Sequence, residues 1–347
     1  MTVTARDAGA EVIRRSRRGQ RPRRALTVTI ALAVVALVLA LVALGVGDYP
    51  LNPLEVVRAM FATDGGFATT IVLDWRLPRV LVALLFGAAL GLSGALFQSL
   101  TRNPLGSPDI IGFSTGSYTG ALLVITVLGT GYASTAVGAL IGGLLTAALV
   151  YLLAYRGGLQ GFRLVIVGIA VTAMLQSFNV WLLLRSSTEV AMTASIWGAG
   201  SLSLVGWAQA WPSLAAFVIL FPAALLLARP LRQLELGDEA ARAHGVRVEG
   251  SRLVILIVGV ALIAVVTATA GPIAFVALAA PQVAKRLTGA AGLPLVPAAL
   301  VGAVLLLVAD QVAQHVLPGS VPVGVVTIVV GGAYLIWLLV REARRRL

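Results

Sequence analysis

The stretch RLPRVLVALLFGAALGLSGALFQSLTRNPLG, residues 76–106, has no charged side chain between Arg79 and Arg102. A helix that crosses the roughly 30 Å hydrocarbon core of a bilayer needs about 20 apolar residues, and residues 78–99 supply such a run. A strand of a membrane barrel would instead alternate apolar and polar residues. The stretch therefore predicts a transmembrane helix, followed by a rigid turn rich in proline and glycine.

The rest of the chain has the same character, because 59% of its 347 residues are hydrophobic and its mean hydropathy is +0.97. A soluble domain cannot bury that much apolar surface, so the composition favours a polytopic membrane protein. We predict an all-α fold with about ten transmembrane helices in one membrane domain over residues 25–347. The apolar runs lie at 26–45, 78–99, 109–128, 133–155, 163–183, 209–228, 253–270, 273–285, 295–316 and 321–340.

The 26 basic residues are distributed unevenly. If the N-terminus is inside, only Arg58, Arg76, Arg79 and Arg185 lie in outer segments. The positive-inside rule then places both termini in the cytoplasm, which requires an even number of helices. Residues 1–24 are predicted to form a disordered, basic cytoplasmic arm. This arm has no aromatic residues between its arginines, so membrane anchoring is favoured over nucleic-acid binding.

Two further patterns predict local structure. Small residues at four-residue spacing allow helices to pack closely in lipid. They recur at Gly87, Gly91 and Ala95, and again at Gly138 and Gly142. In the long outer loop 46–77, the segment NPLEVVRAMF predicts a short amphipathic surface helix.

Motifs for catalysis are scarce in this sequence. Lys285 is the only lysine and is followed by Arg286, so the chain has no GxxxxGK[ST] phosphate-binding loop. The two histidines, His244 and His315, lie in different segments, and the chain has no cysteine. We therefore predict no catalytic site, no metal site and no cofactor bound by this chain.

Polar residues inside predicted membrane helices are candidates for function because they are costly there. Thr172, Gln176 and Asn179 have helical spacing and share one face of the fifth helix. A water-lined path and hydrogen bonding between helices explain this face equally well. Thr327 and Tyr334 share a face of the tenth helix, with the same two explanations.

Near the outer side, a carboxylate and two arginines require an explanation. Asp310 could serve an ion-coupled secondary transporter, but His315 is its only titratable neighbour, so a structural hydrogen bond is favoured. Arg76 and Arg79 flank Pro78 at the start of the second helix. Arginines can extend to the interface from such positions, but docking of an acidic external partner is favoured.

Two inner segments could also be functional. TRNPLGSPDIIGFSTG, residues 101–116, is either a closure element or a tight turn, with Asp109 in the first turn of the next helix. LELGDEAARAHGVRVEG, residues 234–250, is a charged island between helices six and seven. Its alanines favour a helix, and Gly237 and Gly245 punctuate both sides of them. On these residues alone, a solvated loop and a functional contact remain equally supported.

Four long motifs resemble the FecCD family, the membrane subunits of ABC importers for iron–siderophores, haem and cobalamin. The motifs are residues 76–117, LELGDEAARAHGV (234–246), AGPIAFVALAAPQVAKRLTG (270–289) and LPGSVPVGVVTIVVGGAYLIWLL (317–339). The resemblance covers about residues 27–345. Within the family, FQSLTRNPLGSPDIIGF, VGIAVTAMLQSFNVWLLL and GAGSLSLVGWA are most similar to permeases of ferric-enterobactin importers.

The resemblance implies a type II ABC importer permease in the bacterial cytoplasmic membrane, importing a ferric siderophore of catecholate type. Haem and cobalamin are the alternative substrates. The implied partners are a second, non-identical permease subunit, two copies of an ATPase that uses ATP and Mg²⁺, and an extracytoplasmic substrate-binding protein. No nucleic acid is implied.

The resemblance also assigns roles to individual residues. Arg76 and Arg79 would dock the binding protein, and reversing both charges is expected to weaken docking while assembly survives. The cytoplasmic gate would include Asn103, Leu105, Gly161 and Phe162, although the related cobalamin importer has small hydroxyl residues at the last two positions. The fifth and tenth helices would line the translocation path. A coupling segment at about 231–250 would contact the ATPase through Leu236, Gly237, Asp238, Ala240, Ala241 and Gly245. A third docking arginine of the cobalamin importer is replaced here by Gln314.

Overall fold

The computed structural model describes residues 5–61, 66–129, 131–156, 158, 160–319 and 321–346. Within them the chain forms helices and no strands, which confirms the predicted all-α fold. The helices are α1 (Ala5–Gly45), α2 (Pro53–Phe61), α3 (Phe67–Thr70), α4 (Leu77–Thr101), α5 (Phe113–Leu128), α6 (Tyr132–Ala154), α7 (Gly161–Arg185), α8 (Thr188–Gly198), α9 (Trp207–Leu226), α10 (Ala228–Glu235), α11 (Asp238–Ala243), α12 (Val248–Ala270), α13 (Val276–Thr288), α14 (Leu295–His315) and α15 (Val323–Arg346).

Each of the ten predicted membrane helices corresponds to an observed helix. In the described part of the chain, seven helical segments are long and apolar enough to cross a membrane. They are Arg23–Gly45, Phe67–Thr101, Tyr132–Ala154, Gly161–Arg185, Trp207–Leu226, Val248–Ala270 and Leu295–His315. Phe113–Leu128 and Val323–Trp337 are shorter apolar helices, and α13 is the tenth. It begins at Val276 rather than at 273, because Phe275 has a left-handed backbone (φ 67°) that interrupts helical geometry.

The N-terminal arm differs from its prediction. Helix α1 begins at Ala5, so most of the segment predicted to be disordered is helical. Alanine, arginine and glutamate in this arm are strong helix formers, and a helix already nucleated in the membrane extends more easily than a new one. Residues 1–4 lie outside the described residues.

Helix α4 continues from a π-helical segment, Ile71–Arg76, that the sequence did not predict. The N–H of Leu77 bonds to the carbonyl of Val72, five residues earlier. Pro78 has no N–H to donate to the carbonyl four residues before it, and its ring clashes with a regular α-helical turn there. The wider π-turn therefore allows the membrane helix to continue past this proline.

Helix α4 is the centre of the fold and packs against α9, α12, α13 and α14. Its large side chains Phe86, Leu90 and Phe97 are fully buried. At Gly91 an added Cβ would lie 2.9 Å from the carbonyl carbon of Ala298, a separation that real Cβ atoms essentially never show. Close packing at the small residues is thus confirmed.

The short surface helix predicted in the outer loop is also confirmed, as α2. Asn52 and Glu55 form a reciprocal cap at its start. The Asn52 side chain accepts from the Glu55 N–H at 2.9 Å, and the Glu55 carboxylate accepts from the Asn52 N–H at 2.8 Å. This cap fixes where α2 begins.

Candidate functional site

A charge pair lies at the outer end of α4. Arg79 donates from Nε to Asp310 Oδ2 at 3.0 Å and from Nη2 to Oδ1 at 2.8 Å. The Asp310 side chain is fully buried, and Gln314 donates a third bond to Oδ2 at 2.6 Å. Asp310 therefore has the structural role that the sequence favoured. Gln314, which the resemblance matched to a docking arginine, supports this carboxylate.

Arg76 also has internal partners. Its two terminal nitrogens donate to the carbonyls of Leu44 at 2.8 Å and Tyr49 at 2.7 Å, which ties the end of α1 to α4. Both arginines line an outer cavity of about 480 Å³ whose walls include Phe67, Trp75 and His315. A carboxylate at position 79 would face buried Asp310, so we expect reversal of both charges to disturb assembly as well as docking.

The predicted gate residues lie at the inner end of α4. Asn103 accepts from the N–H of Leu105 at 2.9 Å through its side chain, which closes a tight turn at residues 103–105, the gate turn. Gly161 packs against the same end of α4, since an added Cβ would lie 2.6 Å from Thr101 Cα. The Phe162 side chain, by contrast, is 77% exposed. The structure therefore brings Gly161 to the end of α4 that leads into the Asn103 turn and leaves Phe162 on the surface.

The five predicted path residues lie in different environments. Of the three on α7, Gln176 is exposed, Asn179 is buried, and half-buried Thr172 donates to the carbonyl of Gly168 at 2.7 Å. On α15, buried Thr327 donates to the Gly324 carbonyl, and Tyr334 is half-buried with the Arg286 guanidinium 5.9 Å from its ring centre. Of these five residues, only Gln176 is therefore exposed on the surface of this chain.

The coupling segment, residues 231–250, folds as two short helices joined at Gly237. This glycine (φ 115°) and Gly245 (φ 79°) both adopt backbone conformations that L-residues with side chains rarely take. Leu236 is 70% exposed, whereas Ala241 is buried against the rest of the chain. Asp238 is held internally by Arg102 and Arg252. Of these predicted contact residues, Leu236 is thus available to another protein, Ala241 faces inward, and partly exposed Asp238 is bound by two arginines of the same chain.

A comparison with known protein families places these motifs in a single family. The sequence profile of the FecCD transport family matches residues 32–341. The chain belongs to the FecCD transport family. The motifs at the outer rim, the gate turn and the coupling segment all lie within the matched range, so this FecCD chain is a permease subunit of an ABC importer.

Two relatives of this FecCD chain are permeases from Escherichia coli (strain K12). The chain is 50% identical over 325 residues to the ferric enterobactin transport system permease protein FepG, covering 93% of this chain and 98% of FepG. It is 36% identical over 330 residues to the ferric enterobactin transport system permease protein FepD, covering 92% and 98% of the two chains.

A solved structure shares the fold of this FecCD chain. It is a metal-chelate type ABC transporter in an inward-facing conformation, with a TM-score of 0.80 and 28% sequence identity. The similarity covers 91% of this chain and 99% of that chain. The type II importer permease fold expected from the sequence is confirmed.

The sequence did not identify Arg102 and Arg252 as site residues of this FecCD chain. Arg102 is the last residue before the gate turn, and Arg252 lies in the first turns of α12. Their common partner Asp238 is distant from Arg102 in sequence, so no local pattern marks the pair. The only signal was the unusual density of charges in residues 234–252.

Asp109 lies in the turn before α5 rather than in the first helical turn, because Gly112 (φ 96°) separates it from the helix. Its Oδ1 accepts from Ser114 Oγ at 2.7 Å, and the buried carboxylate also lies next to the backbone N–H of Phe275. Burial raises the pKa of Asp109 from 3.8 to about 6, and the hydrogen bonds from Ser114 and from the backbone of Phe275 oppose this shift. The folded chain therefore binds a proton at Asp109 more tightly than the unfolded chain.

This pKa shift predicts a pH-dependent stability. The contribution of Asp109 to the stability of the fold is fully present below pH 3.8 and is lost as the pH rises through about 6. Asp109→Asn should remove this loss and raise the free energy of unfolding at pH 7.5 by up to about 3 kcal/mol. Denaturant titrations of the purified permease from pH 4.5 to 7.5 would measure it, with exposed Glu189→Gln as control. An unchanged pH profile in Asp109→Asn would contradict the prediction.

Proposed function

We propose that this chain is the membrane subunit of an importer that carries a ferric siderophore of catecholate type across the bacterial cytoplasmic membrane. The observation that carries the proposal is its 50% identity with FepG, which spans nearly the full length of both chains. The lower identity with FepD, 36%, associates this chain with one of two permeases named for the same transport system. A second, non-identical permease subunit is accordingly part of the proposal.

ATP hydrolysis is assigned to a separate chain in this proposal. The sequence has no phosphate-binding loop, and the coupling segment offers a surface where a partner can act. Leu236 is exposed there, and Glu239 and Arg242 extend from the outward side of α11. Two ATPase subunits, which use ATP and Mg²⁺, would bind this surface. No cofactor is assigned to this chain itself.

An extracytoplasmic binding protein would dock at the outer rim. The cavity next to Arg76 and Arg79 opens there, and its rim includes Gln311 and His315. Acidic side chains of the binding protein would approach arginines that already have internal acceptors. Docking therefore adds a contact to groups that the fold has fixed, rather than ordering free side chains.

Uptake by the assembled importer tests the function. We expect proteoliposomes that contain this chain with its partner subunits and binding protein to accumulate radioiron-loaded enterobactin only when ATP is inside. An excess of a ferric hydroxamate or of haem should not compete. Uptake of a hydroxamate or haem in preference to the catecholate would contradict the substrate class. Uptake driven by an ion gradient without ATP would contradict the importer mechanism.

A further inference from the structure

One carboxylate oxygen joins the inner end of α4 to the coupling segment and to α12. Asp238 Oδ1, in the first residue of α11, accepts from Arg102 Nη2 and from Arg252 Nη2, both at 2.7 Å. Arg102 Nη2 also donates to the carbonyl of Leu234 at the end of α10, at 2.7 Å. Arg102 thus contacts the chain on both sides of Gly237, where the two short helices of the coupling segment meet.

Arg102 also determines the path of the gate turn. It ends α4 with a left-handed backbone (φ 51°, ψ 34°), and the next residue is Asn103. A second contact also joins α4 to α10, since Ser99 Oγ donates a hydrogen bond to the Glu235 carboxylate. A displacement of α11 therefore acts directly on the residue that precedes the gate turn.

The arrangement is better suited to transmitting movement than to stabilising the fold. The side chains of Arg102 and Asp238 are 45% and 32% exposed, and ion pairs this exposed contribute little stability. At the same time, α11 has two distinct sides. Exposed Leu236 precedes its outward side, and its inward side is fixed by Asp238 and buried Ala241.

We propose that Asp238 and Arg102 are positioning residues that make α11 and the gate turn move as one unit. The inference rests on the proposed function, because only an importer driven by a separate ATPase needs this connection. Force on the outward side of α11 would then pass through Asp238 to Arg102 and to the turn at Asn103. Arg252 keeps the carboxylate aligned from α12.

Arg102→Asn tests the connection, since asparagine tolerates the left-handed backbone but is too short to reach Asp238. In proteoliposomes with all partner subunits, we expect the amount of siderophore imported per ATP hydrolysed to fall about tenfold, a typical size for coupling between sites. Arg229→Gln, at an exposed arginine of α10, is the matched control and should leave this ratio unchanged.

A cysteine pair supplies the second test, because the natural chain contains no cysteine. Arg102→Cys with Asp238→Cys should lower the ratio as Arg102→Asn does. A short, reducible thiol cross-linker between them should restore it, and reduction should abolish the recovery. An unchanged ratio in Arg102→Asn, failure of that variant to assemble, or inhibition by the cross-link would each overturn the inference. If the wild-type complex imports no ferric catecholate, the proposed function fails instead.

Discussion

Asp310→Leu should lower the free energy of unfolding of the permease by about 3–5 kcal/mol, because it leaves the charge of Arg79 next to an apolar side chain. Arg79→Leu should have an effect of similar size, since it leaves the fully buried carboxylate of Asp310 without its charged partner. The double variant should recover most of the loss, because a pair of well-packed leucines needs neither charge nor hydrogen bond. Denaturant unfolding of the purified permease in detergent would measure all three.

The double-mutant cycle distinguishes this pair from a docking site. Arg58→Leu, at an exposed outer arginine of α2, is the control and should change stability little. If the double variant were as unstable as the single variants, the pairing would not explain their effect. If Arg79→Leu folded normally, Arg79 would be free for docking as the sequence implied. Binding-protein affinity measured on the folded double variant then tests docking separately from folding.

The ten predicted helices could be found because each contains an apolar run, and this signal depends on composition rather than on neighbours. The π-helical segment before Pro78 and the short helix α8 could not, because local crowding and tertiary contacts decide them. The boundary of α13 was displaced for the same reason. Its start depends on the backbone of Phe275 (φ 67°), an uncommon conformation for a bulky residue.

For the candidate site, the sequence could point to segments but not to the partners of their side chains. Arg79 was read as a free docking group, yet its partner Asp310 lies on α14, 231 residues away. Asp238 was read as facing the ATPase, yet it binds Arg102, 136 residues away. Such pairs form only after helices pack, and a single sequence contains no record of that packing.

Gly94→Ala should prevent normal packing of α4 against α13. A Cβ at Gly94 would point into the carbonyl oxygen of Ala277 and lie 2.6 Å from its carbonyl carbon and 3.0 Å from its Cα. All three are backbone atoms, so no flexible side chain can move aside. Overpacking of this kind costs about 1–3 kcal/mol, and occasionally more. Because only helix displacement relieves the contact, we expect a value at the upper end of that range.

The sign of this prediction depends on two opposing effects of the added methyl group. Replacing glycine with alanine inside a helix gains about 1 kcal/mol from helix propensity. Gly332→Ala in α15 isolates that gain, because a Cβ there would have no atom of the described residues within 4 Å. Gly332→Ala should therefore be neutral or stabilising in the same unfolding assay, and Gly94→Ala strongly destabilising. Equal stability of the two variants would show that α13 can move away from α4 at little cost.

A functional measurement extends the comparison to the inner side of the permease. Helix α13 contributes the carbonyl of Leu278, which accepts from Gln98 at 2.9 Å, and Gln282, which donates to the same side chain at 2.6 Å. Displacement of α13 at Gly94 would break these bonds about one helical turn above the gate turn. An importer that contains Gly94→Ala and still assembles should therefore let siderophore pass through the vesicle membrane without ATP. An importer that contains Gly332→Ala should not. Tight vesicles with Gly94→Ala would mean that packing of α4 on α13 is not needed to keep the path closed.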